Sequence, residues 1–301
     1  MISVQKITEL TGHGNPVFAL ALSQKPGILF SGGNDKGLVE WSLNKNAFIK
    51  VLFPVSYSIY AINCPAAFPL LFAGLRDGQV AVFDFEKQQL STSLKHHQKP
   101  IFDIKTIELK QELVVASEDG TVSVWNLPSM NLLHSFKISA DTIRCIAVSP
   151  DGQQIAFGSR DNNIYVYNAT DYSLVTVLHS HTMPVFSLAY SPNGSQLVSG
   201  SRDAQVKIWD ANNYELIHNT PAHLYAVNSI AFHPDRPYFA TGSMDKSIKI
   251  WSADDFKLHK IISREKGFDS HQLSVNKLVW NEDQLISTGD DKRIILWEVS
   301  F

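Results

Sequence analysis

The chain has 301 residues, 44% of them apolar and 18% charged, with a formal net charge of −3. That composition can fill a sizeable core, and the charge gives no general drive towards nucleic acid or an anionic membrane. No stretch approaches the roughly 20 apolar residues of a membrane span, and MISVQKITEL lacks the basic and apolar runs of a secretory signal.

The chain opens on an isolated strand signal, Ile2 to Leu10, and then becomes periodic. Seven aspartates, Asp35, Asp77, Asp119, Asp161, Asp203, Asp245 and Asp291, are spaced by five gaps of 42 residues and one of 46. Six residues after each stands an aromatic: Trp41, Phe83, Trp125, Tyr167, Trp209, Trp251 and Trp297. A fixed period of this size means one supersecondary unit copied seven times. The copies fill residues 1–301 as a single domain, with almost nothing over for a tail or a second one.

Each unit reads as strands. Around Asp203, FSLAYS, QLVSGS, AQVKIW and a weaker ELIHNT are separated by Pro-Asn-Gly, Arg-Asp and Asn-Asn. Short β-rich runs bounded by turn residues predict an antiparallel four-stranded meander. Two columns of the first strand are wholly aliphatic, from Val17 to Val275 and from Leu20 to Leu278. A strand apolar on both faces belongs to a sheet packed between two neighbours. The expected fold is therefore all-β, a seven-bladed β-propeller of four-stranded antiparallel blades. The seventh copy ends four residues after Trp297 and has no fourth strand of its own. The N-terminal strand Ile2 to Leu10 is expected to complete that last blade by pairing with Ile294 to Val299, which would satisfy an otherwise open edge.

A histidine column completes the unit. His13, His97, His181 and His223 lie 22 residues before their aspartates and His271 lies 20 before Asp291. Four residues before the aspartates stand Ser31, Ser199, Thr241 and Ser287 in copies one, five, six and seven. With its Gly12-His13 opening and Trp209-Asp210 closing, the unit resembles the WD40 repeat over the whole chain.

The resemblance implies a hydrogen-bonded network in each blade that has the full set: His13, Ser31, Asp35 and Trp41; His181, Ser199, Asp203 and Trp209; His223, Thr241, Asp245 and Trp251; His271, Ser287, Asp291 and Trp297. Copy three has Val115 at the hydroxyl position. Copies two and four have Val55 and Ser139 for the histidine, Ala73 and Phe157 for the hydroxyl, and Phe83 and Tyr167 for the tryptophan. Those three blades are expected to cohere by apolar packing.

Ser199, His181 and Asp203 invite comparison with a hydrolytic triad. The set recurs in four copies without a Gly-x-Ser-x-Gly elbow, which argues for scaffold and against catalysis. The adjacent His96-His97 has no carboxylate or cysteine at ligand spacing, so no metal is expected. Gly32 to Gly37 precedes a strand and lacks the Gly-Lys-Ser/Thr ending of a phosphate loop. Cys64 and Cys145 form neither a metal motif nor a disulfide framework, so the expected compartment is the cytosol.

The resemblance also implies that the aspartate turns and histidine loops share the narrower face. Positions five residues after the histidine then surround the central opening: Phe18, Tyr60, Phe102, Arg144, Phe186, Asn228 and Asn276. Beside them, directly before the aspartates, stand Arg76, Arg160 and Arg202. Aromatics and arginine are enriched at binding hot spots. These ten residues are the expected partner contacts, unless the rings tuck between blades and the arginines pair with carboxylates. The arginine arc suggests an acidic or phosphorylated peptide.

The inserted segment Ser263 to Ser270 lengthens a loop on the same face, as tolerated surface insertions do. The reading is a non-catalytic protein- or peptide-binding scaffold or adaptor with no cofactor, either monomeric or a subunit of a larger complex. The alternatives are a propeller enzyme or a nucleic-acid-binding subunit with its site at the central opening.

Overall fold

A computed structural model describes residues 2–301. Among them, 28 strands form seven four-stranded antiparallel sheets. In blade five the strands are Val185–Tyr190, Gln196–Ser201, Gln205–Asp210 and Leu216–Pro221. The first strands of successive blades pack side by side, and that of blade seven, Val275–Asn281, meets that of blade one, Val17–Leu22. The sheets therefore close into a ring. Both aliphatic columns are buried in every blade, because each first strand is covered on two sides by its neighbours.

Closure uses the N-terminal strand. Ser3–Leu10 pairs antiparallel with Ile294–Ser300 as the outer strand of blade seven, with Val4 opposite Val299 and Leu10 opposite Ile294. A second device holds this strand. Arg293 Nε donates to Glu9 Oε2 at 2.9 Å, and Lys6 bonds both Glu9 and Asp269. Asp269 belongs to the inserted segment, and its neighbour Phe268 sits edge-on to Trp297, with ring centroids 6.2 Å apart. The insertion thus buttresses the closing blade.

Two local features recur in all seven blades. The residue after each ladder aspartate is left-handed: Lys36, Gly78, Gly120, Asn162, Ala204, Lys246 and Lys292 have φ between 56° and 92°. Glycine fits this turn without strain, and at Gly120 a Cβ would come 2.3 Å from the Ser139 carbonyl oxygen. The second feature is a register shift in the first strand, between Val17 and Ala19 in blade one and at the matching place in the other six. Such a bulge leaves one residue unpaired and re-aims its side chain.

Candidate functional site

The ladder aspartates hold the interior together. In blade five the Trp209 indole N–H donates to Ser199 Oγ (3.0 Å), that hydroxyl meets His181 Nε2 (2.8 Å), and His181 Nδ1 meets Asp203 Oδ2 (2.9 Å). Blades one, six and seven repeat the arrangement, with His–Asp distances of 2.6, 2.9 and 2.9 Å. Each carboxylate also fastens backbone: Asp203 accepts from the N–H groups of Gln205 and Thr182, and Asp245 from those of Ser247 and Leu224.

Burial lowers the pKa of His13 and His223, against the opposing pull of Asp35 and Asp245. A neutral ring donates from Nδ1 and accepts at Nε2, so the serine or threonine hydroxyl donates to it while accepting from tryptophan. At Asp203, burial raises the pKa, but the His181 hydrogen bond and the two backbone N–H groups outweigh it and bring it down to about 2. Ser199 is fully buried between these partners, so this set has no access to a substrate.

The structure corrects the expectation for blade three. Val115 lies directly across the strand pair from Ser123, and Ser123 supplies the hydroxyl instead. Its Oγ lies 2.9 Å from His97 Nε2 and accepts from the Trp125 indole at 2.9 Å. The hydroxyl has moved to the adjacent strand while keeping its place in space, so blade three holds a complete network.

Blade four is also less bare than expected, because Ser139 and the Tyr165 hydroxyl (2.7 Å) both donate to Asp161 Oδ2. In blade two, among the described residues, Asp77 accepts only from Gln79, through its backbone N–H at 3.2 Å and its side chain at 2.7 Å. That blade alone holds by apolar packing, as expected of it.

The bulged residues are Phe18, Tyr60, Phe102, Arg144, Phe186, Asn228 and Asn276, and all seven line a central cavity of about 840 Å³. Tyr60 contacts Phe18 and Phe102 with ring centroids 5.3 and 5.5 Å apart. The Arg144 guanidinium lies 4.2 Å from the Phe102 centroid and 4.7 Å from that of Phe186.

The two asparagines are engaged in closure. Asn228 Nδ2 donates to the Val275 carbonyl (2.9 Å) and Asn276 Nδ2 to the Val17 carbonyl (3.0 Å), tying blade six to seven and seven to one. Arg76, Arg160 and Arg202 are exposed and lie outside the cavity wall. Arg160 Nε lies 3.8 Å from Asp141 Oδ1. Sequence reasoning thus brings seven of its ten contact residues to one cavity and leaves three on the surrounding rim.

It missed an apolar group on the same face. Leu224 and Tyr225 follow His223 and are 82% and 60% exposed; Met244, before Asp245, is 56% exposed. Leu273 follows His271 by two residues, and Met183 follows His181 by two; these are 48% and 40% exposed. The Met244 N–H donates to the Ala226 carbonyl, so the two loops of blade six stand together. The signal was in the register, one or two positions after His181, His223 and His271 for four of the five and directly before Asp245 for Met244.

Comparison with known families decides what kind of propeller this is. The family model described as WD domain, G-beta repeat, matches residues 4–42 and 88–126, and the WDR36/Utp21 first beta-propeller model matches residues 109–254. The chain carries WD40 repeats in a seven-bladed propeller. Among curated proteins none matches the chain. WD40 propellers generally serve as non-catalytic scaffolds that bind proteins or join larger complexes. No group of three or more His, Cys, Asp or Glu among the described residues is placed to hold a metal ion.

Proposed function

We propose that this WD40 propeller is a non-catalytic adaptor that docks a protein or peptide on the face carrying the histidine and aspartate loops. The observation that carries the reading is the exposed crescent of Met183, Leu224, Tyr225, Met244 and Leu273 across three consecutive blades. Single exposed apolar residues are ordinary, but several on neighbouring loops of one face form a patch of the kind that partners cover. Arg160 and Arg202, exposed on blades four and five, flank the crescent and favour an acidic or phosphorylated segment beside the apolar contact. The free thiols of Cys64 and Cys145 favour the cytosol as its place of work.

The test is affinity capture from native lysate with Leu224→Ser/Tyr225→Ser/Leu273→Ser beside the wild type, after matching their urea midpoints. Loss of the captured partner is the expected outcome. Retention by this variant, with loss in Phe102→Ala/Phe186→Ala, would move the contact to the cavity mouth. Retention in both would place it on another surface.

A further inference from the structure

Below the mouth the cavity wall becomes charged. The residues that follow the bulged positions are Ala19, Ala61, Asp103, Cys145, Ser187, Ser229 and Lys277. Five charged side chains line the cavity: Asp103, Lys105, Arg144, Lys277 and Asp290.

Three of the five are engaged. Asp103 accepts the backbone N–H groups of Ile104 and Ile146, each at 2.9 Å, and so ties blade three to four. Lys105 stands 3.7 Å from that carboxylate. Asp290 accepts from Asn276 Nδ2 at 2.8 Å. The serines of this level are occupied too, since Ser187 donates to the Val227 carbonyl and Ser229 accepts from the Leu278 N–H.

Two cations remain. Among the described residues, neither the Arg144 guanidinium nor the Lys277 ammonium makes a side-chain hydrogen bond or an ion pair, although both face the same cavity. The Tyr60 hydroxyl, also on the wall, has no hydrogen-bond partner among the described residues either. An ammonium held partly out of water without a direct ion pair is costly. Burial lowers the Lys277 pKa, and the charge of Lys105 lowers it further against the opposing effects of Asp103 and Cys145. Phe102 and Phe186 lie against the Arg144 guanidinium, and none of its N–H groups has an acceptor among the described residues, so they remain for a ligand.

We propose that the channel is an oxyanion site that takes a phosphate-like dianion between Arg144 and Lys277, with Tyr60 as a neutral donor at the mouth. Two unmatched cations fit a doubly charged group, whereas a single carboxylate would leave one of them unpaired. Low-dielectric walls concentrate their field on an otherwise acidic molecule. The group can arrive as a free phosphate compound or as the phosphorylated side chain of a docked chain. The site rests on the cavity alone and does not require the crescent to dock a partner.

Calorimetry on the full chain at low salt tests this with two probes, inorganic tripolyphosphate and a short phosphoserine peptide. Wild type is expected to bind at least one of them, with affinity falling as salt rises. Lys277→Met and Arg144→Gln should each weaken that binding by about tenfold or more, while Lys25→Gln, exposed and outside the cavity, should leave it unchanged. Urea midpoints of all three variants report whether each is folded. Binding of tripolyphosphate alone identifies a free polyanion, and binding of the peptide alone a docked side chain. Failure of wild type to bind either probe, or equal affinity in wild type and both cavity variants, overturns the proposal.

Discussion

Blades two and five have the same four-stranded sheet, the same left-handed turn after the ladder aspartate and the same bulge in the first strand. Their polar interiors differ. In blade five, Asp203 is the end of a chain of hydrogen bonds that runs through His181 and Ser199 to Trp209. In blade two, Asp77 caps its own turn and nothing more, while Phe83 packs on Phe53 and Phe85 with ring centroids 5.5 and 5.4 Å apart.

A blade therefore does not need the network to form. The aspartate has two separable roles, one local to its turn in blades two to seven, where it accepts the N–H two residues on, the other long-range, made with histidine in blades one, three, five, six and seven and with Ser139 in blade four. Buried polar chains that are fully satisfied specify one arrangement of their strands. Apolar packing alone can fill the same space.

The comparison can be sharpened first at blade seven, which has a complete network but borrows its outer strand. Deleting residues 3–10 exposes an edge of Ile294–Ser300 and removes the anchor that Glu9 and Lys6 give to Arg293 and Asp269. The loss should be the largest of any change considered, above about 4 kcal/mol, and should replace a single cooperative melt with a broad one. An unchanged melt would mean that the network suffices to hold the blade.

Ser123→Ala comes next. It strands the Trp125 indole and the His97 ring inside blade three and should cost about 1–3 kcal/mol in urea titration. Adding Val115→Ser to Ser123→Val returns the hydroxyl to the strand it occupies in blades one, five, six and seven, and should recover most of that loss. A costless Ser123→Ala would make blade three resemble blade two.

The third prediction concerns acid. The unfolded chain protonates its histidines near their ordinary pKa of 6.5, whereas folded His13 and His223 do so only at lower pH. The stability held by their neutral forms is complete above 6.5 and is lost as pH falls through it towards the folded values. Asp203 adds a further loss from 3.8 down towards about 2, because its folded pKa is depressed. His223→Gln should therefore flatten the decline in urea midpoint between about pH 7.5 and 5.5. A decline as steep as that of wild type would place the titrating group elsewhere. The smallest effect should be that of Tyr165→Phe in blade four, about 1 kcal/mol or less, since Ser139 still serves Asp161.

These blades also show where reading the sequence succeeds. The 42-residue period, the aliphatic columns and the missing fourth strand were enough to reach the propeller and its N-terminal closure, because each reflects a pattern repeated along the chain. Ser123 was invisible for the converse reason. It occupies a column that holds valine, lysine or isoleucine in blades one, five, six and seven, and only the pairing of Val115 with Ser123 shows that the two positions share one space.

Burial was likewise out of reach for single residues in loops. Phe268 and Leu224 both sit in loops beside a histidine, yet Phe268 packs into the core of the closing blade and Leu224 is 82% exposed. The mouth residues were found by register. Their bulged backbone, which explains why all seven turn into the cavity, becomes visible only in the strand pairing.

The two roles of the ladder aspartate are separated most directly by urea titration of Asp203→Ala beside Asp77→Ala. Asp203→Ala should cost about 2–4 kcal/mol, because it leaves the His181 N–H and two backbone N–H groups without their acceptor. Asp77→Ala should cost about 1 kcal/mol or less, because it removes a turn cap alone. Equal losses would contradict the division of the ladder into network and turn.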